Sequence, residues 1–269
     1  VPNNLKIFCV GHKAPTFTPP VEYQMLCPFP VGAANEIIID DERFGQAIDG
    51  GVLAEYSQLF GLYDLLSSGD IVADNFFLFQ YRKFISPNKG GVASVWPWVR
   101  MTEQQEATLL FPGMEQLQSI QSRIVVGTMC QMAQSMASSY ASLHVIDDFV
   151  LFIAACAKSD YLTENDINAF TTNRGLIPSP ALCYINVELF MSIMNILKDV
   201  WSVYSQNYLI KREGYQRRSA GYLLERLHSF LLLKFFMEGT EKTLNVCDRY
   251  IVVNDAHDPD QMSQMMAAG

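Results

Sequence analysis

Phe76-Phe77-Leu78-Phe79 runs without a polar interruption into Gln80-Tyr81-Arg82-Lys83. A short stretch that is apolar at every position is a strand covered on both faces, the situation of a central strand in a parallel sheet. It hands an amide, a phenol and two cations to its carboxyl end, the edge at which open α/β sheets hold ligands. Two adjacent cations beside an aromatic ring can bind a diphosphate and meet the charge that grows on a departing nucleotide. The competing reading is an edge strand whose charges discourage aggregation. The residue chemistry alone does not separate the two.

Working outward toward the start, residues 5–10 alternate with β-branched and aromatic character, and residues 36–39 repeat the pattern before Asp40 and Asp41. Between them, 15–30 carries too many prolines for a regular element and predicts a long wrapped or working loop. Leu53, Tyr56, Leu59, Phe60, Tyr63 and Leu66 recur at helical spacing, so 52–66 predicts one helix, ended by Ser67, Ser68 and Gly69. Strand, helix, strand opens an α/β sheet.

Working outward toward the end, the chain turns mainly helical. The periodicity predicts a capped start at Thr102, a Met-rich and Ser-rich helix over 129–141, a helix over 145–158, and one N-capped by Thr163. Helices over 188–204 and 217–236 follow, with strands at 182–185 and 244–253 and a frayed tail. The expectation is a single domain over 1–269, sheet-rich over 1–100, helix-rich over 101–243, with a final strand and tail over 244–269.

With 269 residues, 49% of them hydrophobic, the chain can bury a large core, while only 17% charged residues predict apolar surface that meets a partner or a membrane face. A net charge of −9 argues against a broad nucleic-acid surface but not against a local diphosphate site. Cys9, Cys27, Cys130, Cys156, Cys183 and Cys247 show no Cys-x-x-Cys pair, which fits buried free thiols in a reducing compartment. No apolar stretch reaches spanning length, so the expected location is cytoplasmic, with a peripheral membrane contact left open.

Two further clusters carry chemistry. Gly11, His12 and Lys13 follow the first strand, where an imidazole and an ammonium can lie against a nucleotide; alone they are a weak signal, and a solvated strand end is the favoured reading. Tyr215, Gln216, Arg217 and Arg218 precede Glu225 and Arg226. Arg218 and Glu225 lie two turns apart and share a helix face, and Gly221 between them permits close backbone approach. An ordinary surface ion pair is the competing reading. Asp147 and Asp148 read as caps at a helix start, and Asp70 and Asp74 flank the apolar strand. No Asp-x-Asp follows a strand, so a divalent cation (manganese or magnesium) is left open, with Asp40 as a substitute ligand.

Together these clusters resemble a bacterial domain family found among capsular and exopolysaccharide glycosyltransferases. Its pattern is a strand ending in His-Lys, a Pro-containing loop, a Cys-Glu-Leu-Thr-x-x-Tyr helix, a His-Tyr-Arg-Arg strand end and a late Tyr-x-x-Arg-x-x-Gly-Phe-x-x-Glu-Arg-Leu helix. Here the chain reads His12-Lys13, then Ser57-Gln58-Leu59-Phe60-Gly61-Leu62-Tyr63, then Gln80-Tyr81-Arg82-Lys83. The last motif reads Tyr215-Gln216-Arg217-Arg218-Ser219-Ala220-Gly221-Tyr222-Leu223-Leu224-Glu225-Arg226-Leu227. Two departures stand out: Gln58 replaces Glu, and Gln80 replaces His.

The resemblance implies an α/β fold with a GT-A-like nucleotide-sugar-binding sheet flanked by helices and a largely helical C-terminal half. It also implies transfer of a hexosyl unit from a nucleoside-diphosphate sugar, uridine-linked first, to a glycan or lipid-linked acceptor. Donor-binding residues would be His12, Lys13, Gln80, Tyr81, Arg82, Lys83, Tyr215, Arg218 and Gly221. A general base would come from Asp40, Asp41 or Glu225, which the sequence does not rank. The alternative is a catalytically inactive relative that acts as a scaffold in polysaccharide assembly. A phosphate-binding hydrolase rests only on the acidic pairs.

Overall fold

The computed structural model describes residues 4–39, 50–94, 98–237, 244–246 and 249–253, so Asp40 and Asp41 lie outside the described residues. The strands are β1 (Leu5–Val10), β2 (Gln24–Cys27), β3 (Glu36–Ile38), β4 (Asn75–Gln80), β5 (Lys83–Ser86), β6 (Val92–Ala93) and β7 (Val99–Thr102), then β8 (Ile124–Val126), β9 (Cys130–Gln131), β10 (Gly175–Leu176), β11 (Cys183–Asn186), β12 (Leu244–Val246) and β13 (Arg249–Val253). The helices are α1 (Gly50–Leu53), α2 (Tyr56–Ser67), α3 (Gln104–Leu110), α4 (Met114–Gln118) and α5 (Met136–Leu143), then α6 (Ile146–Cys156), α7 (Glu164–Thr172), α8 (Val187–Asn207) and α9 (Ser219–Met237), with a 3-10 turn at Gly214–Arg218.

The apolar run is central, as its composition requires. β4 pairs with β1 in parallel along its whole length, from Leu5 opposite Asn75 to Val10 opposite Gln80, and β11 lies antiparallel on its other side. β2 and β3 extend the β1 side in parallel. Beyond β11 come β8, antiparallel to it, and β12, parallel to β8. Within the run β3-β2-β1-β4-β11-β8-β12, β11 alone is reversed. At its carboxyl end β4 turns through Tyr81 and Arg82 into β5, which pairs with β13, then β7 and β6.

Strand alternation sends Phe76 and Leu78 to one face and Phe77 and Phe79 to the other, and all four are buried. The first face meets the helical layer, chiefly α2, α6, α8 and α9, through residues such as Leu59, Phe152, Ile193 and Leu227. The second packs on Phe17, Phe84, Leu110 and Phe111, with the Phe79 and Phe111 rings edge to face at 4.9 Å. Each buried phenylalanine contributes roughly 1.5–3 kcal/mol of apolar transfer.

Several local expectations are corrected. The Pro-rich 15–30 stretch contains β2, because Met25, Leu26 and Cys27 are apolar enough to be buried once paired with β1. The single helix expected over 52–66 is broken: Ala54 takes a left-handed conformation (φ 51°), ending α1 and re-aiming the chain into α2. The 129–141 helix begins later, after β9, with Ser135 as N-cap. Thr102 belongs to β7, and α3 starts beyond it. Residues 244–246 and 249–253 form two strands in different places rather than one, β12 beside β8 and β13 between β5 and β7. Asp148 does not cap into solvent but is buried against Arg212, Nη2 to Oδ1 3.0 Å. Two of the sheet's inner strands, β8 and β11, come from the helix-rich middle of the chain.

The Thr163 cap is present, closed by Asp166. Cys9, Cys27, Cys156 and Cys183 are buried free thiols. Among the described residues no helix is long and apolar enough to cross a membrane.

Candidate functional site

β1 and β4 finish side by side, so their carboxyl ends deliver two of the sequence clusters to one place. Gly11 still donates its amide to Leu26 O (3.1 Å), and the chain leaves the sheet at His12. Next to it Tyr81 and Arg82 make the tight turn from β4 into β5, with Tyr81 O accepting from the Thr16 amide at 2.8 Å. The Tyr81 ring gathers the polar groups. His12 meets it edge-on at 5.5 Å, Arg82 Cζ lies 5.2 Å from its centroid and Lys13 Nζ 5.9 Å. A cation over an aromatic face is held in place without losing its charge.

The helical layer brings the third cluster to the same edge. Gly221, in the first turns of α9, lies so close to the end of α1 that an added Cβ would stand 3.1 Å from Leu53 O and 3.2 Å from Ala54 Cβ. That approach seats Arg218, Tyr222 and Glu225, one face of the 3-10 turn and α9, over the strand ends. The result is a cavity of about 530 Å³, a size suited to a small organic ligand. Its sheet side is Val10, Gly11, His12 and the Gln80 to Lys83 turn; its helical side is Gly51, Ala54, Glu55 and Gln58 from the first two helices, with the α9 face. Ser179, Pro28 and Phe29 complete it.

Of the candidates from sequence, His12, Gln80, Tyr81, Arg82, Lys83, Arg218, Gly221 and Glu225 line this one cavity. Lys13 and Tyr215 do not. Lys13 stands at the Tyr81 ring, and Tyr215, 59% exposed, stacks on His144 and Tyr222 beside the cavity.

Sequence reasoning missed Glu55. Burial first, and then the neighbouring Glu225 carboxylate, push its carboxyl above the usual carboxylate range, while Lys83 and Arg218 pull it back. A second carboxylate nearby favours keeping a proton on Glu55. Glu225 is oriented by accepting the Ser179 amide on Oε1 at 3.1 Å. Ser179 itself is left-handed (φ 48°). Of the three described non-glycine residues with positive φ, Asn35, Ala54 and Ser179, two thus border this cavity. Such backbone costs about 1–3 kcal/mol per residue and is held where the surrounding structure over-determines it. The sequence signal that points to this wall is Gln58 of the helix motif, one turn after Glu55; the break at Ala54 is what brings both to the cavity.

His12 is pushed below its ordinary value by burial, then by Lys13, Arg218 and Arg82, so its imidazole is neutral at pH 7 and can accept as well as donate. Among the described residues no group of three or more His, Cys, Asp or Glu side chains is placed to hold a metal ion. A second cavity of about 520 Å³, on the other sheet face, is lined by Phe77, Ile85, Leu117, Val125 and Tyr184, with Pro87, Pro112, Ile120, Ser119 and two glutamines, and carries no side chain charged at neutral pH. Of these two cavities, the first combines volume with charge.

No protein-family model matches the chain, and no curated protein matches it. Its structure is similar to the apo structure of WbbM, a bifunctional glycosyltransferase, with a TM-score of 0.70 at 15% sequence identity. The match covers 94% of this chain and 46% of that one, so the chain spans less than half the length of the protein it resembles. The fold is therefore that of a glycosyltransferase structure: a mostly parallel sheet flanked by helices, helical in its C-terminal half, with a charged cavity at the carboxyl ends of its central strands.

Proposed function

We propose that this chain is a glycosyltransferase domain that moves a hexosyl unit from a nucleoside-diphosphate sugar to a glycan or lipid-linked acceptor, the activity that its motif resemblance to capsular and exopolysaccharide enzymes implies. The carrying observation is the convergence of Arg82, Lys83 and Arg218 with Glu55 and Glu225 on one cavity at the strand ends. The likeness to a bifunctional glycosyltransferase supports the same reading.

In the reaction, the bond between the sugar's anomeric carbon and the diphosphate oxygen breaks, and the electron pair leaves with the nucleoside diphosphate. Arg82, Lys83 and Arg218, which line the cavity, meet that added negative charge. His12, neutral, offers a further hydrogen bond at the phosphate end. An acceptor hydroxyl attacks the anomeric carbon, and Glu225, fixed by the Ser179 amide, takes its proton. Glu55 holds a proton more readily than an ordinary glutamate, which lets Glu225 carry the negative charge of the pair.

The test is a thermal-shift and calorimetric screen against uridine, guanosine, thymidine and cytidine diphosphates and their sugars, with manganese and with EDTA. Stabilisation by one nucleotide, lost in Arg218→Ala, is expected. No binding of any of them sinks the reading. Binding without transfer or donor hydrolysis favours an inactive scaffold, the alternative raised by the amides Gln58 and Gln80 standing in the cavity wall.

A further inference from the structure

The 3-10 turn and the start of α9 carry more aromatic surface than the cavity uses. Tyr222 belongs to the cavity wall, and its ring lies 4.5 Å from that of His144 at an interplanar angle of 22°. Tyr215 lies 5.8 Å from His144, nearly parallel at 10°, and 5.2 Å from Tyr222. Tyr140 backs the stack from below, 4.7 Å from His144, and Arg226 lies 5.0 Å from the Tyr140 ring. These three rings, His144 stacked on each tyrosine and the two tyrosines tilted to one another at 31°, one in the cavity wall and one 59% exposed, thus form a continuous shelf leading out of the cavity.

Tyrosines make contact area at little entropic cost, and their rings present a partly negative face to C–H groups. A pyranose ring offers such C–H groups on one side and hydroxyls at its edge. His144 is pushed down to about 4, by burial first and then by Arg226, so at neutral pH the imidazole of this cluster carries no charge. An uncharged shelf suits a neutral sugar rather than a phosphate. Helical spacing then sets the direction: Tyr222 and Glu225 share the α9 face that lines the cavity, so a ring lying on Tyr222 has its edge beside the Glu225 carboxylate.

We propose that the Tyr215–His144–Tyr222 shelf is the acceptor subsite, on which a neutral sugar residue stacks so that one of its hydroxyls reaches Glu225. The assignment rests on the transferase reading and adds the class of its acceptor, a glycan presenting an uncharged hexose at the reacting end. It also separates the two substrates: the diphosphate lies with Arg82, Lys83 and Arg218, and the acceptor with the aromatic rings.

Saturation-transfer NMR with the full chain and the methyl glycosides of galactose, glucose, mannose and N-acetylglucosamine tests this, with Tyr215→Ala and Tyr215→Phe compared. Tyr215 is exposed, so neither change threatens the fold, and urea unfolding of each variant checks it. The expected result is ring-proton saturation for at least one glycoside in the wild type and in Tyr215→Phe. In Tyr215→Ala affinity should fall about tenfold, the ~1.4 kcal/mol of one stacked ring, with calorimetric binding of nucleoside diphosphates unchanged. Absence of any glycoside signal in the wild type overturns the proposal, as does an intact signal in Tyr215→Ala. Weakened nucleotide binding in Tyr215→Ala would assign the shelf to the donor's base and also overturn it. A wild type that binds glycosides but no nucleotide would sink the transferase reading and leave the sugar shelf standing, so the two failures are distinguishable.

Discussion

Arg212 and Arg218 leave the same connection between α8 and α9 and end in opposite situations. Arg212 meets one carboxylate, Asp148, with Nη2 at 3.0 Å and Nε at 3.3 Å from the same oxygen, and that aspartate is fully buried. Arg218 faces a cavity that also holds Arg82, Lys83, Glu55 and Glu225. The first arrangement matches charge to charge and closes over it, which fixes architecture. The second keeps like charges near one another beside open volume, which folding alone does not favour and a ligand can relieve. Sealed and matched against open and crowded is what tells the two arginines apart, although in sequence both are simply cations before a helix.

The largest break of that contrast is Asp148→Ala. It leaves the partly exposed Arg212 guanidinium without its buried carboxylate partner, and stability should fall by about 3 kcal/mol, read as the shift of the urea midpoint. A loss below a few tenths would mean that Arg212 simply turns to water. Arg218→Ala should do the reverse: stability within about 0.5 kcal/mol of the wild type, and nucleoside-diphosphate affinity down roughly tenfold to a hundredfold by calorimetry. Gly221→Ala tests the seating of α9 on α1. A methyl 3.1 Å from Leu53 O must push the two apart, costing about 1 kcal/mol and weakening nucleotide binding along with stability.

The smallest effect sharpens the comparison through pH. The folded state raises the carboxyl of Glu55 above its unfolded value, so the fold binds this proton more tightly than the open chain does. The group therefore favours the fold below the unfolded value, and that contribution is lost as pH rises through the folded value. Glu55→Gln removes the dependence. Its melting temperature should exceed that of the wild type at pH 8 and converge with it toward pH 4. An equal gap at both ends would mean that Glu55 is not held protonated by burial and Glu225.

How much of this was legible in the sequence follows from which forces are local. Phe76 to Phe79 announced a central strand because an aromatic run apolar at every position and too short for a helix fits a strand covered on both faces, and Gln80 to Lys83 came with it as the residues that must follow. Arg218 and Glu225 were legible as one face through helical spacing. β2 was not, since its prolines lie outside the four residues that pair, and the pairing energy comes from β1 rather than from its own sequence. Nor was Glu55. Its place depends on Ala54 adopting a left-handed conformation, a cost no alanine signals and which packing against Gly221 makes up elsewhere. The burial of Asp148 depends on Arg212 arriving from a distant segment, so two adjacent aspartates at a helix start looked like caps.

β13 has a consequence for the order in which the molecule can be made. It lies between β5 and β7, antiparallel to the first and parallel to the second, although both precede it by most of the chain. During synthesis β5 and β7 emerge long before the strand that joins them, and β8 likewise waits for β12. The β1–β4 half can close early around its own contacts, whereas the β13-facing sides of β5 and β7 and the β12-facing side of β8 wait until residues 244–253 have been made. Loop closure over such separations is slow, and open strand edges invite association with other chains. Ribosome-bound chains halted before residue 244 should therefore protect the β1–β4 amides from exchange while leaving the β13-facing amides of β7 open.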